Sequence, residues 1–428
     1  MVRAPWRGWY RVDTSGLLRS SLPLMNTPVP FAPRFLSVDA LRGFDMFWIL
    51  GADALVQALA GMTQNAPVAF VAGQLEHKDW AGFAFYDLIF PLFVFIVGVS
   101  LVFSLSGLVS REGPSAAVGR LFRRVVLLFL LGIFYNGGLA NSWPDVRLAG
   151  VLQRMALTYG AAGLLFIYFR PRTLAIVVAI LLAGYWALLT FVPIRDFRLD
   201  HATLSARLGT AKPTMTAVRA AFDATSARIT GGYEPGLNLT NHLDFQFLPG
   251  SMYDHYYDPE GYLSTLPAIA TCLLGVFAGR LLQRTDLGGS KKVLWLLGAG
   301  SLALAAGWAW HQQFPVVKKL WTSSFVLVAG GWSAVLLGCF YYLVDVRQWR
   351  GWCQPFVWIG INPITLYLLS SVLNFGEVAS RLVGGSVAAW LNTHVGAGAG
   401  GFVNALVGLG LVFLLAGFLH HRKVFIRV

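Results

Sequence analysis

The sequence predicts an all-α polytopic membrane protein, a helical bundle with about 10 transmembrane helices. Of its 428 residues, 56% are hydrophobic and only 12% are charged, and the mean hydropathy is +0.61. Soluble domains are about one quarter charged, so this chain is too apolar to be one. Its apolar runs continue for about 20 residues, the length that a helix needs to cross the hydrocarbon core, whereas the strands of a β-barrel would alternate over about ten.

Ten apolar segments follow one another along the chain. They cover approximately residues 43–62, 84–106, 121–140, 148–169, 173–193, 261–282, 293–311, 321–344, 355–375 and 400–420. A weaker segment, 378–392, contains Arg381 and Asn392 and is short, so we interpret it as an interfacial or re-entrant helix; if it spans, the count is 11. Residues 1–33 hold Arg and Pro but no long apolar run, which predicts a mobile cytoplasmic extension ahead of a transmembrane domain at 34–428.

The distribution of Lys and Arg in the short loops predicts the orientation of the helices. One set of loops carries Arg111, Arg120, Arg123, Arg124, Arg170, Arg172, Arg280, Arg284, Lys291, Lys292, Arg347 and Arg350. The opposite set carries only Lys78, Arg147, Lys318, Lys319 and Arg381. Because the richer side faces the cytoplasm, both termini are predicted to be cytoplasmic and the long loop at about 194–260 to be exterior. Connections of that length are often functional.

The net charge of +13 does not indicate a nucleic-acid partner, because most of the basic residues lie at the ends of apolar runs. The predicted partner is the lipid bilayer. Cys272, Cys339 and Cys353 lie in or beside apolar runs and form no disulfide framework. Cys272, inside a span, is expected to be inert packing. The sequence has no phosphate-binding motif, dinucleotide fingerprint or metal-ligand spacing, so no metal is expected.

The stretch that enters the second span concentrates titratable groups. His77 stands between Glu76 and Asp79, Trp80 follows, and Asp87 lies near the start of the helix. Polar groups beside hydrocarbon are costly and therefore indicate a site. Histidine titrates near neutrality and suits proton transfer, and a nearby carboxylate can orient its ring. We predict that His77 is a general base and that Glu76 and Trp80 bind substrate, with a solvated interfacial histidine as the simpler alternative.

The first span carries acidic and basic groups at helical spacing. Asp39, Arg42 and Asp45 are three residues apart and share one helical face. They form either an ion-pair cap at the membrane entry or a polar wall of a cavity. Asp53 lies eight residues beyond Asp45, where a carboxylate needs a partner. We expect that partner to be Arg154.

The fourth span begins on the exterior side and carries Gln153 and Arg154 a turn or two below the surface. An arginine that faces the bundle at this depth cannot easily reach water. Either Arg154 forms a structural salt bridge to Asp53 or Asp87, or both polar residues face the substrate.

Two further groups of residues are candidates for binding a polar substrate. Asp258 and Glu260 lie at the exterior mouth of the sixth span, where they either cap the helix or recognise substrate. Asn362 and Pro363 interrupt the ninth span, which predicts a bend. Polar groups that a bend frees often line a cavity.

Six short motifs occur between residue 34 and about residue 370. They are Ser37-Val-Asp39-Ala-Leu-Arg42-Gly43, Glu76-His77 with Trp80 and Tyr86-Asp87-Leu-Ile-Phe-Pro91, Val151-Leu-Gln153-Arg154, Tyr257-Asp258-Pro-Glu260-Gly261, Leu320-Trp321-Thr-Ser323-Ser-Phe325, and Gly360-Ile-Asn362-Pro-Ile. In this order they resemble the heparan-α-glucosaminide N-acetyltransferase-like family of transmembrane acyltransferases, especially its bacterial members.

The resemblance implies that acetyl-CoA from the cytoplasm is the co-substrate and that a small-molecule or glycan acceptor, of amino-sugar type, lies across the membrane. It also implies that His77 is the catalytic base, that Asp53 and Asp87 join it at the catalytic site, and that the protein is a multi-pass protein of the bacterial inner membrane and possibly a homodimer. The nucleotide phosphates are expected to meet basic side chains on the cytoplasmic face. These are Arg42, Arg120, Arg123 and Arg124.

Other functional classes give two alternatives. In a secondary transporter or proton-coupled exporter, Asp53, Asp87 and Arg154 would relay protons. In a membrane sensor or scaffold, the site would be inactive. For the acyltransferase, direct transfer in a ternary complex is the expected mechanism, with a relayed acyl-His77 step as the alternative.

Overall fold

The computed structural model describes residues 35–63 and 65–425. Helices dominate this part of the chain, and its only β-strands form one antiparallel pair of two residues each in the long loop. The predicted all-α polytopic class is therefore confirmed. The mobile extension expected at 1–33 lies outside the described residues.

Seventeen α-helices and the strand pair follow one another along the described chain. They are α1 (Leu36–Phe47), α2 (Asp53–Met62), α3 (Ala66–Gln74), α4 (Phe85–Tyr135), α5 (Val151–Tyr168), α6 (Pro171–Phe191), β1 (Ile194–Arg195), α7 (His201–Leu208), α8 (Met215–Ala224), β2 (Arg228–Ile229), α9 (Leu239–Phe247), α10 (Tyr262–Gln283), α11 (Gly289–Trp310), α12 (Ser323–Tyr341), α13 (Gln354–Ile361), α14 (Pro363–Leu373), α15 (Phe375–Val383), α16 (Gly385–His394) and α17 (Ala399–His421). A π-helical turn at Trp48–Ala52 joins α1 to α2, and another at Tyr342–Val346 extends α12.

Within the described chain, eight helices are long and apolar enough to cross a membrane, and the bent pair α13 and α14 adds a ninth. One of the eight, α4, has 51 residues, which is about 77 Å and more than twice the hydrocarbon thickness. It breaks at Gly113, where φ is 86° and ψ is 173°, just before Pro114. Glycine tolerates this conformation and proline cannot continue the hydrogen bonding of the helix. The break lies between the predicted second and third spans, so each of the ten predicted segments coincides with helical structure in the described chain.

The weak segment at 378–392 forms two short helices that pack against α17. α15 has nine residues and α16 has ten, so each is only about 15 Å long. Neither is long enough to cross the hydrocarbon core by itself.

Glycines bring α4 very close to α10. A Cβ on Gly98 would lie 2.0 Å from the carbonyl oxygen of Cys272, and one on Gly275 would lie 1.9 Å from that of Phe95. Small residues let membrane helices approach in this way, where packing rather than the hydrophobic effect holds them together. Cys272 is completely buried in this contact, a position in keeping with packing.

The long loop, residues 192–261, folds into a small unit that we call the cap. Its core consists mainly of aromatic side chains, including Phe197, Phe222 and Phe245. Trp80 ties the cap to the bundle, because its Nε1 donates to the carbonyl oxygen of Tyr233 at 2.7 Å. We call the surface of the bundle that carries the cap the cap side.

Candidate active site

A cavity of about 510 Å³ opens among the loops on the cap side. Its walls come from α1, α4, α5 and α14, and its mouth from the loops that precede α4, α5, α10 and α12. Along α4 its lining runs from Tyr86 to Phe93, a depth of about 10 Å. The cavity therefore extends about two helical turns into the bundle from the cap side.

The cavity is polar at its mouth and apolar inside. The polar part is lined by His77, Lys78, Asp79, Arg147, Arg154, Glu260, Lys318 and Lys319. The inner part is lined by apolar side chains that include Met46, Ile49, Phe90, Phe93, Leu152, Met155 and Ile364. Pockets of this kind hold an apolar moiety while a few polar groups orient the reacting atoms.

Asp87 holds the imidazole of His77 at the mouth of this cavity. The Nδ1 atom of His77 lies 2.9 Å from Oδ1 of Asp87. An ionised carboxylate only accepts, so a neutral ring donates from Nδ1 and keeps the lone pair on Nε2. The other oxygen, Oδ2 of Asp87, accepts from the backbone N–H groups of Ala84 at 3.0 Å and Lys78 at 3.3 Å. These bonds at the N-terminus of α4 explain how a fully buried carboxylate is tolerated.

Lys318 completes a three-residue cluster around the imidazole. Its Nζ lies 3.0 Å from Nδ1 and 3.1 Å from Nε2 of His77, and 3.6 Å from Oδ1 of Asp87. Burial is the largest influence on this amine, and it lowers the pKa of Lys318 below the ordinary lysine value although Asp87 and Glu260 act in the opposite direction.

Tyr86 connects Asp53 to the same cluster. The ring of Tyr86 lies against that of His77, with 4.7 Å between the centroids. Its hydroxyl donates to Oδ2 of Asp53 at 2.8 Å. Within the described residues, Asp53, predicted as a catalytic group, therefore binds Tyr86 rather than His77 and orients the Tyr86 ring.

Arg154 faces the cavity from α5 and is only 1% exposed. Its Nη2 donates to the carbonyl oxygens of Pro259 and Gly261, at 2.8 and 3.3 Å, and to Oγ of Ser264. The guanidinium lies 4.9 Å from the centroid of the Trp321 ring. Nε makes no hydrogen bond within the described residues.

The expected ion pair between Arg154 and Asp53 or Asp87 is wrong for the described structure, because these carboxylates bind Tyr86 and His77 instead. The guanidinium lies among carbonyl oxygens at the start of α10, with Glu260 and Asp258 contributing attraction from nearby. Arg154 therefore faces the cavity instead of pairing with Asp53 or Asp87.

Arg147 joins the two predicted carboxylates at the mouth. It donates from Nε and Nη2 to Asp258, at 2.9 and 2.8 Å, and from Nη2 to Glu260 at 2.9 Å. Burial pushes the pKa of Asp258 upward, but the guanidinium outweighs it and holds that pKa below its ordinary range. Burial raises the pKa of Glu260, with the neighbouring Asp258 acting in the same direction. Of the two, only Glu260 lines the cavity.

Besides Asp258, four residues predicted to bind substrate lie outside the cavity lining. Glu76 is exposed, and Trp80 anchors the cap. Gln153 is buried and points at the small residues of the α4 and α5 contact, where a Cβ on Gly132 would lie 2.3 Å from its Oε1. Asn362 donates to the carbonyl oxygen of Val424 at 2.9 Å. A role in substrate binding stays a prediction for these residues.

The arginines predicted to bind phosphates are not gathered in one place. Arg120 and Arg123 border a hollow of about 250 Å³ together with Glu112. Arg124 lies over the ring of Tyr159, 4.7 Å from its centroid. Arg42 donates to Asp39, to the carbonyl oxygen of Gly360 and to Ser100, and so bridges α1 to α13 and α4.

Sequence reasoning missed Lys318 and Arg147 as site residues and counted both only as loop charges. A signal was present, since they are basic residues in loops on the charge-poor side, where orientation does not require them. No three His, Cys, Asp or Glu side chains within residues 35–63 and 65–425 are placed to hold a metal ion.

No protein-family model matches this chain. It is 29% identical over 381 residues to the human heparan-alpha-glucosaminide N-acetyltransferase, an alignment that covers 78% of this chain and 52% of the relative. The mouse protein of the same name is 28% identical over 339 residues, covering 70% of this chain and 49% of the relative. The chain spans about half the length of the curated relatives it matches. This distant relationship supports an acyltransferase-type function at the level of a related family.

Proposed function

We propose that this protein is a transmembrane acyltransferase that moves an acetyl or related acyl group from acyl-CoA to an amine or hydroxyl of a sugar-type acceptor. The observation that carries the proposal is the imidazole of His77, bound through Nδ1 to Asp87 at 2.9 Å in the wall of the cavity. Such a pair presents Nε2 as a base. The distant similarity to N-acetyltransferases supports the reaction class.

In this reaction the acceptor binds at the polar mouth of the cavity. His77 Nε2 removes the proton of the amine or hydroxyl as the acceptor attacks the carbonyl carbon of the thioester, a step worth about 10²- to 10⁴-fold in rate. The buried guanidinium of Arg154 faces the same space and can stabilise the negative charge that develops on the carbonyl oxygen. Loss of one such donor typically costs about 10²- to 10³-fold.

The acyl group and the adjoining arm of the donor fit the apolar inner part of the cavity. Arg120 and Arg123, on the opposite side of the bundle from the cap, are the proposed contacts for the nucleotide phosphates. Between them and the cavity, Arg42 joins α1 to Ser100 at 2.6 Å and to Gly360 at 3.0 Å. For the acyl donor to reach the cavity from that side, these contacts of Arg42 must therefore open when the donor binds.

The proposed setting is the inner membrane of a bacterium, with the cap outside and the termini in the cytoplasm. Its support is the excess of Lys and Arg in the loops opposite the cap. A homodimer is part of the same proposal, and the bilayer is the expected partner of the eight apolar helices of the described chain.

The test uses the purified protein in liposomes, with radiolabelled acetyl-CoA on one side and glucosamine on the other. The wild type is expected to form N-acetylglucosamine, and His77→Ala to lower the rate by at least about 100-fold. His201→Ala, at an exposed position of the cap, is the matched control and is expected to keep wild-type activity. A folded His77→Ala protein with full activity would remove the base from the mechanism.

The same liposomes separate the enzyme from an exporter. The transporter hypothesis would be supported instead if a sugar gradient drove proton flux in the absence of acyl-CoA and no acetylated product formed. The predicted relay of Asp53, Asp87 and Arg154 lacks direct contacts between its members, because Asp53 binds Tyr86 and Arg154 binds backbone carbonyls.

A further inference from the structure

We propose that Lys318 is the general acid of the site, which protonates the departing thiolate, and that its contact with His77 then returns both groups to their starting states. This assignment rests on the acyl transfer proposed above and adds to it a second proton-transfer group that the sequence patterns did not indicate.

The backbone of Lys318 is held in place beside the His77 loop. The N–H of Gly82 donates to the carbonyl oxygen of Val316 at 2.9 Å, and Ala81 and Val317 form an antiparallel bridge. The carbonyl oxygen of Lys318 itself accepts from the N–H of the buried Trp321 at 2.9 Å. Lys318 is thus a fixed residue of the cavity wall rather than a mobile surface lysine, and its side chain is 22% exposed.

The short distance between the two side chains restricts their protonation. Nζ of Lys318 lies 3.0 Å from Nδ1 and 3.1 Å from Nε2 of His77, so it lies nearly equidistant from the two ring nitrogens. A lysine ammonium and an imidazolium are both cations and both only donate, so contact at this distance favours states in which one of the two is unprotonated. The contact is therefore suited to passing one proton between a nitrogen of lysine and a nitrogen of histidine.

The surrounding charges support an acid at this position. Asp87 and Glu260 attract the ammonium, whereas Lys319 opposes it and is itself paired with Asp254 at 2.9 Å. Lys78, Asp79, Arg147 and Arg154 also border the cavity. Burial lowers the pKa of Lys318 below the ordinary lysine value, which makes its ammonium a stronger acid at neutral pH.

The proton and electron balance closes over one turnover. The acceptor nitrogen forms a bond to the carbonyl carbon, and His77 Nε2 takes a proton from that nitrogen. The tetrahedral intermediate collapses, the bond between carbon and sulfur breaks, and the ammonium of Lys318 gives its proton to the sulfur. The imidazolium of His77 then passes its proton to the neutral amine of Lys318. The products are the amide and a free thiol, and both side chains return to their initial protonation.

If Lys318 only balanced the charge of Asp87, its loss would slow the reaction equally with every leaving group. If Lys318 is a general acid, the loss depends on how basic the leaving group is. Protonation of the leaving group matters more for an alkyl thiolate such as that of CoA, because it is a stronger base than an aryl thiolate. It matters little for an aryl thiolate, which leaves without a proton. The dependence on the leaving group therefore reports the acid directly.

The experiment compares two donors, acetyl-CoA and an acetylated aryl thiol, in the full-length protein in liposomes. Lys318→Met removes the charge, and Lys318→Arg keeps the charge but cannot release a proton. Both variants are expected to lose about 10²-fold or more in kcat with acetyl-CoA, and less than about tenfold with the aryl thioester. His77→Ala is expected to be slow with both donors. Lys212→Met, at an exposed position of the cap, is the control.

Equal losses with both donors, or recovery of kcat in Lys318→Arg, would overturn the assignment of Lys318 as an acid and make it a source of charge only. Full activity of Lys318→Met with acetyl-CoA would overturn it as well. If the wild type transfers acetyl from neither donor, the proposed acyltransferase function fails first, and this outcome is distinct from the others.

Discussion

The mouth of the cavity and the arginine segment at 120–124 are both rich in charge, but the two regions are built in opposite ways. The mouth combines His77, Arg147, Glu260 and Lys318, which are far apart in the sequence and converge on one space. The arginine segment places three cations within five residues, yet their side chains separate. Closeness in sequence is therefore not sufficient to indicate which charges act together.

The partners of the charges explain the difference. At the mouth, several of the charged groups have an opposite charge within hydrogen-bonding distance, as for Asp87 with His77 and Arg147 with Asp258. In the segment, Arg124 lies over the ring of Tyr159 while Arg120 and Arg123 border a hollow at the surface. A buried charge requires such partners, whereas a surface charge is satisfied by water.

The largest expected effect is at the mouth, where Asp87→Asn should lower kcat by about 10²- to 10⁴-fold with little change in KM. A carboxylate fixes Nδ1 of His77 as a hydrogen-bond donor, and an asparagine amide does not. The imidazole therefore loses the orientation that it needs as a base. Steady-state kinetics in liposomes test this. Asp286→Asn, which alters an exposed pair with Arg284, is the control. A shift in KM alone would show that Asp87 serves binding instead.

A smaller effect is expected in the arginine segment. The double variant Arg120→Gln and Arg123→Gln should raise KM for acyl-CoA about tenfold, because charge-assisted hydrogen bonds to phosphates are lost. Its kcat should be unchanged, and the effect should shrink at high salt. Arg284→Gln, at an exposed position just after α10, is the control. An unchanged KM would place the nucleotide elsewhere.

The smallest expected effect concerns Asp244, which supports the mouth from the cap and accepts from the N–H of Asp258 at 3.5 Å. Burial, the largest cause, raises its pKa to about 7. Because this pKa is above that of an unfolded aspartate, its contribution to stability is full only below the unfolded value of 3.8 and is lost progressively as the pH rises through about 7.

Asp244→Asn should therefore reduce the fall in Tm between pH 5 and pH 8 by a few degrees, about the shift expected for 2 to 3 kcal/mol. Thermal unfolding of both proteins at the two pH values measures this. An identical pH dependence would show that Asp244 does not titrate in the folded cap.

The sequence predicted the parts of the site that belong to one local segment. His77 and Asp87 are ten residues apart on either side of a helix start, so a prediction from the segment was possible. The predicted ion pair of Arg154 with Asp53 or Asp87 was wrong because it rested only on the similar depth expected for these residues in the membrane. Depth does not determine which helices are neighbours, and Tyr86 is closer to Asp53.

By itself, the sequence determined that the chain is a helical membrane protein, since runs of about 20 apolar residues satisfy their backbone hydrogen bonds in hydrocarbon only as helices. It also determined that a histidine and a carboxylate stand together where the second span begins. Only the tertiary structure decided that Lys318 reaches that histidine and that Arg147 pairs with Asp258. These contacts depend on how loops from distant parts of the chain pack over the bundle, and no local pattern of residues records that packing.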